Sequence, residues 1–227
     1  MPFPDPNGAP ADGLVAVGGN LAPERLMDAY AHGIFPWFND DHQPVLWWSP
    51  DPRAVIEPNA LHVSRRLARR LRRREFGVTL DTAFADVVAG CAAPRRQQTE
   101  TWITPQMRAA YGRLHDAGFA HSVDVWCDGD LVGGLYGVSI GRMFFGESMF
   151  SAATDASKVA LATLAQVLHK WRFTLIDCQI MNDHLRSLGV VSMPRRQFLR
   201  LVAANNAHPT RRGHWALDDT AAPPPRT

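Results

Sequence analysis

Cysteine, lysine and long apolar runs are scarce in this 227-residue sequence, and each scarcity removes a class of protein. Cys91, Cys127 and Cys178 are odd in number and lack C-x-x-C spacing, which argues for reduced thiols over a disulfide framework or a zinc site. The nine histidines are scattered without H-E-x-x-H or comparable ligand spacing, so no metal is expected. No run of about 18 apolar residues occurs. The opening Met1-Pro-Phe-Pro-Asp-Pro-Asn-Gly8 has neither the basic nor the apolar region of a signal peptide, and the expectation is a cytoplasmic protein with no membrane span. Also missing are a Walker-type phosphate loop, a strand-linked G-x-G-x-x-G and a G-x-S-x-G elbow. No cofactor is therefore expected, and if the chain is an enzyme its substrate arrives already activated.

What is present is a hydrophobic fraction of 46%, enough for a folded chain with a sizeable core, and a net charge of +2 that hides a strong asymmetry. The basic residues are nearly all arginine, and seven of them fall between Arg65 and Arg74. A guanidinium offers a planar fork that matches phosphate oxygens, so the clustering points to a polyanion, although a GC-rich genome also enriches arginine.

The first fifty or so residues are rich in Pro, Gly and Trp and read as a small N-terminal domain over residues 1–53, with a short helix over 23–32. Pro50 and Pro52 interrupt regular structure and set a boundary near Arg53. Residues 54–215 form the larger domain, and 216–227, ending Ala-Pro-Pro-Pro-Arg-Thr227, read as a disordered tail. Ser64 caps a predicted amphipathic helix to about Arg74, with Leu67, Ala68 and Leu71 on one face. Thr104 followed by Pro105 starts another, in which Met107, Ala110, Tyr111 and Leu114 recur at helical spacing. Strands are predicted over 121–126 and 131–139, joined by a Cys127-Asp-Gly-Asp130 hairpin, then over 142–145, followed by a helix over 157–170, a strand over 175–180 and a final helix. The fold class is α+β or mixed α/β, with one central sheet flanked by helices.

Strand spacing in Leu175-Ile-Asp-Cys-Gln-Ile180 puts Asp177 and Gln179 on one face and Ile176, Cys178 and Ile180 on the other. Asn182, Asp183 and His184 follow at once. Such a cluster marks either the rim of a site or a half-exposed strand with a polar face. Glu147, in Gly146-Glu-Ser-Met-Phe150, is placed at a strand end with apolar neighbours; it either pairs with an arginine or receives a cationic group of a substrate. Tyr111 is a core residue of its helix unless its hydroxyl reaches a cleft. Trp37, Trp47, Trp48 and Trp102 lie in Pro-rich or loop-like contexts, where an indole either packs or stacks on a nucleobase.

Seven segments carry a further signal: Phe35-Pro-Trp-Phe38, Trp47-Trp-Ser-Pro-Asp-Pro-Arg53, Thr101-Trp-Ile-Thr104, His121-Ser-Val-Asp-Val-Trp126, Gly133-Gly-Leu-Tyr-Gly137, Phe145-Gly-Glu-Ser-Met-Phe-Ser151 and Ile176-Asp-Cys-Gln179. In this order, over about residues 12 to 200, they resemble the leucyl/phenylalanyl-tRNA-protein transferase family. The resemblance implies transfer of Leu or Phe from aminoacyl-tRNA to the N-terminal amine of proteins beginning with Arg or Lys, creating an N-degron. It also implies a small N-terminal domain ahead of one similar to GNAT acetyltransferases, although the acyl-CoA motif [QR]-x-x-G-x-[GA] is absent. A monomer acting on Leu-tRNA and Phe-tRNA in the cytoplasm is the expectation.

By the same resemblance, Trp37 and Trp102 sandwich the terminal adenine, and Arg65, Arg66, Arg69, Arg70, Arg73 and Arg74 hold acceptor-stem phosphates. Leu135, Phe144, Leu161, Leu164 and Ile176 map onto the pocket for the donor side chain. Leu135 and Leu164 stand where Met and Phe are expected in familiar members, which leaves the balance among Leu, Phe and Met donors open. Asp177 would polarise Gln179, which would hydrogen-bond the amine. A carboxamide is no effective base at pH 7, so Gln179 is read as orienting and Asp177 as supplying charge. Glu147 would meet the basic side chain or the ammonium, Tyr111 the ribose or ester, and Asn182 would order the strand end. The competing readings are a non-enzymatic RNA-binding protein and a GNAT-type acetyltransferase.

Overall fold

Residues 2–94 and 101–217 are described in this computed structural model; the tail expected from 216 onward lies, from 218, outside them. Strand β1 (Leu14–Val17), helix α1 (Pro23–Ala31) and strands β2 (Phe35–Pro36) and β3 (Leu46–Trp48) open the chain, the strands forming a sheet in the order β1-β3-β2. Proline at the start of α1 suits a position whose N–H has no helical partner. The helix stops at Gly33, whose φ of +70° and closeness to Phe198 and Leu199 both favour a residue without a Cβ.

The main body runs β4 (Arg53–Ile56), α2 (Arg65–Arg73), β5 (Gly77–Leu80), α3 (Phe84–Ala92), α4 (Pro105–Asp116), β6 (Ala120–Cys127), β7 (Asp130–Ile140), β8 (Met143–Ser151), α5 (Ala156–Lys170), β9 (Leu175–Gln179), α6 (Asp183–Ser187), β10 (Val191–Met193) and α7 (Arg195–Asn205). The expected caps are formed: Ser64 Oγ accepts the Leu67 N–H at 3.2 Å and Thr104 Oγ1 accepts that of Met107 at 3.3 Å. Met107, Ala110, Tyr111 and Leu114 are buried together, as their spacing requires. At the β6–β7 hairpin Cys127 pairs with Asp130 across Asp128 and Gly129, whose φ values of +53° and +89° match the twist of antiparallel strands. Helix α3 and strands β1 to β5 and β10 are additions to the predicted elements, and the single helix expected after β9 is divided into α6 and α7 with β10 between them; β4, β5 and β10 take their strand character from neighbours on the sheet.

Seven strands form one sheet in the order β10-β4-β9-β8-β7-β6-β5, antiparallel throughout except between β8 and β9. The parallel pair requires a crossover, which α5 supplies. Alternation along the strands sorts residues between two cores. Leu175, Tyr136 and Phe145 join α1, α3, α4, α7 and the three-stranded sheet on one face, whereas Ile176, Leu135 and Phe144 join α2 and α5 on the other. The N-terminal sheet thus shares a hydrophobic cluster with one face of the larger sheet.

Two irregularities position the site. The β8–β9 ladder has three pairs, ending at Phe145 with Asp177, and the strands then separate. Beside that opening β8 carries one residue too many, since Tyr136 pairs with Ser148 and Gly137 with Gly146, leaving Glu147 as the extra residue. On β9, Val55 pairs with Asp177 and Ala54 with Gln179, so Cys178 is extra in the same way. Bulges re-aim side chains, and here they do so on both banks of one gap.

Candidate active site

A cleft of about 650 Å³ occupies this gap. Gly146 to Met149 line it from β8, Cys178 and Gln179 from β9, Ile180 from just beyond it, Phe35, Pro36 and Trp37 from the N-terminal segment, and Trp102 from the chain leading into α4. Leu135, Phe144, Leu161, Leu164 and Ile176, which the sequence marked as an apolar pocket, all line the same cleft and all belong to the second core. One end is therefore apolar because it is an opening into packed aliphatic structure.

Glu147 is buried, and its carboxylate takes three hydrogen bonds: Tyr30 and Gln179 Nε2 donate to Oε1 at 2.7 and 2.8 Å, and Tyr111 donates to Oε2 at 2.7 Å. The two tyrosine hydroxyls also lie 2.5 Å apart. Burial pushes the Glu147 carboxyl up from 4.5 to about 7, with the tyrosine hydrogen bonds opposing that rise. Burial, with the Glu147 charge adding to it, pushes the phenols of Tyr30 and Tyr111 well up, so they stay protonated donors. Two predicted features change. Glu147 sits within β8 at a bulge, where the sequence placed a strand end, and its partners are phenols and an amide in place of an arginine.

Asp177 and Gln179 also differ from the expected relay. Asp177 has no exposed surface, and Arg53 grips it through two hydrogen bonds, Nε to Oδ1 at 2.8 Å and the second guanidinium nitrogen to Oδ2 at 2.7 Å. Its contact with Gln179 is to the backbone, whose N–H donates to Oδ1 at 2.9 Å. The Gln179 side chain turns instead to Glu147. With its NH2 group held there, the amide oxygen is the atom left for another donor. Gln179 reaches this orientation with a φ of +62°, a left-handed conformation that disfavours side-chain-bearing residues by about 1 to 2 kcal/mol.

The remaining candidates separate by depth. Tyr111 has no exposed surface, and its hydroxyl donates to the Glu147 carboxylate. Asn182 lines the cleft and caps α6 by accepting the Leu185 N–H at 2.9 Å, which fixes the chain just past β9. Of the four loop tryptophans, Trp47 is core and donates to the Gly18 carbonyl, while Trp48 donates to the Trp37 carbonyl at 2.8 Å and packs edge-on against its ring. Trp37, 40% exposed, and Trp102 line the cleft. Along α2, Arg66 binds Asp155 at 2.7 Å and Arg70 lies near Asp155 and Glu75, so part of the cluster's charge is used internally. Arg65, Arg69, Arg73 and Arg74 are exposed.

Tyr30 and Arg53, which bond the two buried carboxylates, were not among the residues the sequence singled out. Tyr30 reads as the buried face of a short helix, and Arg53 ends the Trp47-Trp-Ser-Pro-Asp-Pro-Arg53 segment, yet nothing local pairs them with residues 117 and 124 positions away. The signal that was present is a carboxylate, Asp177, flanked by Leu175, Ile176 and Cys178 in its strand, since a buried carboxylate demands a cation or several donors. His184 lines the cleft as well, and burial lowers its imidazole from its ordinary value.

Comparison with known proteins gives a consistent result. Residues 55–203 match the family model described as leucyl/phenylalanyl-tRNA protein transferase, and residues 19–51 match that of the same family's N-terminal domain. A leucyl/phenylalanyl-tRNA–protein transferase from Desulfatibacillum aliphaticivorans is 55% identical over 217 residues, spanning 95% of this chain and 93% of the relative. Another from Myxococcus xanthus is 53% identical over 222 residues, 97% of this chain and 94% of the relative. Among solved structures, a GCN5-related N-acetyltransferase from Kribbella flavida aligns with a TM-score of 0.39 and 13% identity, covering 74% of this chain and 60% of that one. L-PGS from Bacillus licheniformis gives 0.39 and 12%, covering 70% and 51%. At such scores these two likenesses add nothing to the architecture given by the strand order.

Proposed function

The chain belongs to the leucyl/phenylalanyl-tRNA–protein transferase family and is an aminoacyltransferase, and from that premise we propose that its cleft joins a Leu or Phe ester on tRNA to the N-terminal α-amine of proteins beginning with Arg or Lys. The observation that carries this reading is the Glu147 carboxylate, held by Tyr30, Tyr111 and Gln179 in a cleft that has indoles at one side and an apolar recess at the other. The terminal adenine stacks between Trp37 and Trp102, each indole contributing about 1 to 3 kcal/mol. The donor side chain enters the recess of Leu135, Phe144, Leu161, Leu164 and Ile176, and Met is admitted to the extent that this recess accepts an unbranched chain. Exposed arginines of α2, Arg65, Arg69, Arg73 and Arg74, take acceptor-stem phosphates.

The chemistry follows from the hydrogen bonds. An ammonium entering the cleft donates to the Gln179 amide oxygen and gives a proton to Glu147, whose carboxyl near 7 is matched to an α-amine of about 7.7 to 8.0. The free amine attacks the ester carbonyl, a C–N bond forms, and the C–O bond to the ribose breaks. Glu147 passes its proton to the departing ribose oxygen, then takes the second proton that the nitrogen loses on becoming an amide and releases it to solvent. Holding amine and ester together supplies much of the acceleration, since an aminoacyl ester is already activated. The product carries a new N-terminal Leu or Phe, the chemical form of an N-degron. The enzyme works as a monomer in the cytoplasm, where aminoacyl-tRNA is made.

The test is transfer of radiolabelled Leu from Leu-tRNA to an Arg-initiated peptide, with Ala- and Glu-initiated peptides as controls. Transfer confined to Arg and Lys starts is expected; equal labelling of all peptides, or none, overturns the acceptor assignment.

A further inference from the structure

Arg53 and Asp177 form a completely buried ion pair beneath the cleft, and the donor pocket, the indoles and Glu147 leave it without a part in binding or proton transfer. The guanidinium lies between two aromatic rings, 4.8 Å from the centroid of Phe35 and 4.6 Å from that of Phe198. Phe35 lines the cleft, so Arg53 is one layer beneath its surface. Both side chains are 0% exposed. Replacing such a pair by apolar residues of similar volume often leaves stability unchanged or higher, so stability alone does not account for it.

Its geometry has a specific consequence. Both Asp177 oxygens are engaged by Arg53, and Oδ1 also accepts the Gln179 N–H. Gln179 is the residue with φ +62°, following the extra residue Cys178, at the point where β9 leaves β8. A left-handed residue with a side chain persists when its surroundings fix it. The Asp177 carboxylate bonds this N–H from the side-chain side, and the Arg53 fork holds that carboxylate through both of its oxygens. The same turn directs Gln179 Nε2 to Glu147.

We infer that Arg53 is a positioning residue for the transfer reaction: by holding Asp177 against the Gln179 backbone it fixes the turn that aims the Gln179 amide at Glu147 and its oxygen at the acceptor amine. Arg53 touches no reacting atom, and Asp177 acts on the backbone as a clamp. The inference rests on the proposed role of Gln179 in receiving the amine.

A double-mutant cycle tests it with the full-length enzyme, using Arg53→Lys, Gln179→Ala and their combination, each checked by thermal melting. Lysine keeps the charge but presents a single nitrogen in place of the planar fork and loses the ring stacking, so Asp177 stays paired but loses its orientation. The expected result is a fall of about 10- to 100-fold in kcat for Arg53→Lys, the scale of a small misplacement at a reacting centre, with KM for Leu-tRNA unchanged. In the Gln179→Ala background the same change lowers kcat by less than about twofold, because the residue it positions is gone. A second variant, Arg53→Met with Asp177→Leu, retains packing and is expected to show the same pattern: lost turnover with a melting temperature close to that of the parent. Full turnover in Arg53→Lys, or losses that multiply in the Gln179→Ala background, overturns the inference. Full turnover in Gln179→Ala by itself instead overturns the reading of Gln179, which separates the two failures.

Discussion

Replacing Glu147 by Gln changes both the stability and the activity of this protein, in opposite directions. In the folded chain the carboxyl is pushed up to about 7 from its ordinary 4.5, because burial penalises the charge more than the Tyr30 and Tyr111 hydrogen bonds and the Arg53 charge compensate it. Between those values the folded state holds a proton that the unfolded state has released, so stability falls as pH rises from about 4.5 to 7 and then levels off. The full shift corresponds to about 3 kcal/mol. Gln is neutral at every pH and resembles the protonated acid: its oxygen accepts from Tyr111 or Gln179, and its NH2 group has the tyrosine oxygens as acceptors. Urea unfolding is expected to find the variant about as stable as the parent near pH 5 and more stable, by up to about 3 kcal/mol, near pH 8.5. Transfer of Leu at saturating substrate should fall by about 10²- to 10⁴-fold, the range for a lost proton acceptor. A parent protein whose stability is flat from pH 5 to 8.5 relative to the variant would refute the burial argument, and full turnover by the variant would refute the proton-transfer role.

Tyr111→Phe removes one donor from ionised Glu147, so the lower limb of the pH–kcat profile should move to higher pH; an unmoved profile means that the hydroxyl does not tune the carboxylate. Trp37→Ala and Trp102→Ala should each weaken Leu-tRNA binding by about 1 to 3 kcal/mol with little change in kcat, whereas Trp48→Phe acts indirectly by releasing the Trp37 carbonyl; titration by fluorescence separates these. Changing Arg65, Arg69, Arg73 and Arg74 together to Ala should flatten the salt dependence of tRNA binding by about 0.7 to 0.9 for every phosphate no longer neutralised, and an unchanged slope removes α2 from the interface. Arg66 and Arg70 are poorer probes because their substitution also breaks the links to Asp155.

The helices α2, α4 and α5 and the β6–β7 hairpin were legible because their causes are local. Caps at Ser64 and Thr104, apolar repeats one turn apart, and Asp128-Gly129 at the turn each act within a few residues. The elements that were not predicted, strands β1 to β5 and β10 and helix α3, lack such signals. Strand β4, fully buried, depends on β9 and β10 on either side, which lie over a hundred positions along the chain.

Composition and motif order in the sequence determined the kind of protein: a mixed α/β fold, a family of aminoacyl transferases, two cleft tryptophans and an apolar set that converges on one recess. Period-two alternation was enough to separate Ile176 from Asp177, because side-chain direction in a strand is a property of the backbone. Tertiary structure alone decided what the polar residues do. Two bulges facing each other across the end of a parallel ladder turned Glu147 and Gln179 toward one another, and no alternation rule survives an inserted residue. Pairings spanning 117 and 124 positions brought Tyr30 to Glu147 and Arg53 to Asp177. A carboxylate's partner depends on which donors share its buried volume, and that volume exists only after both cores have closed around the sheet.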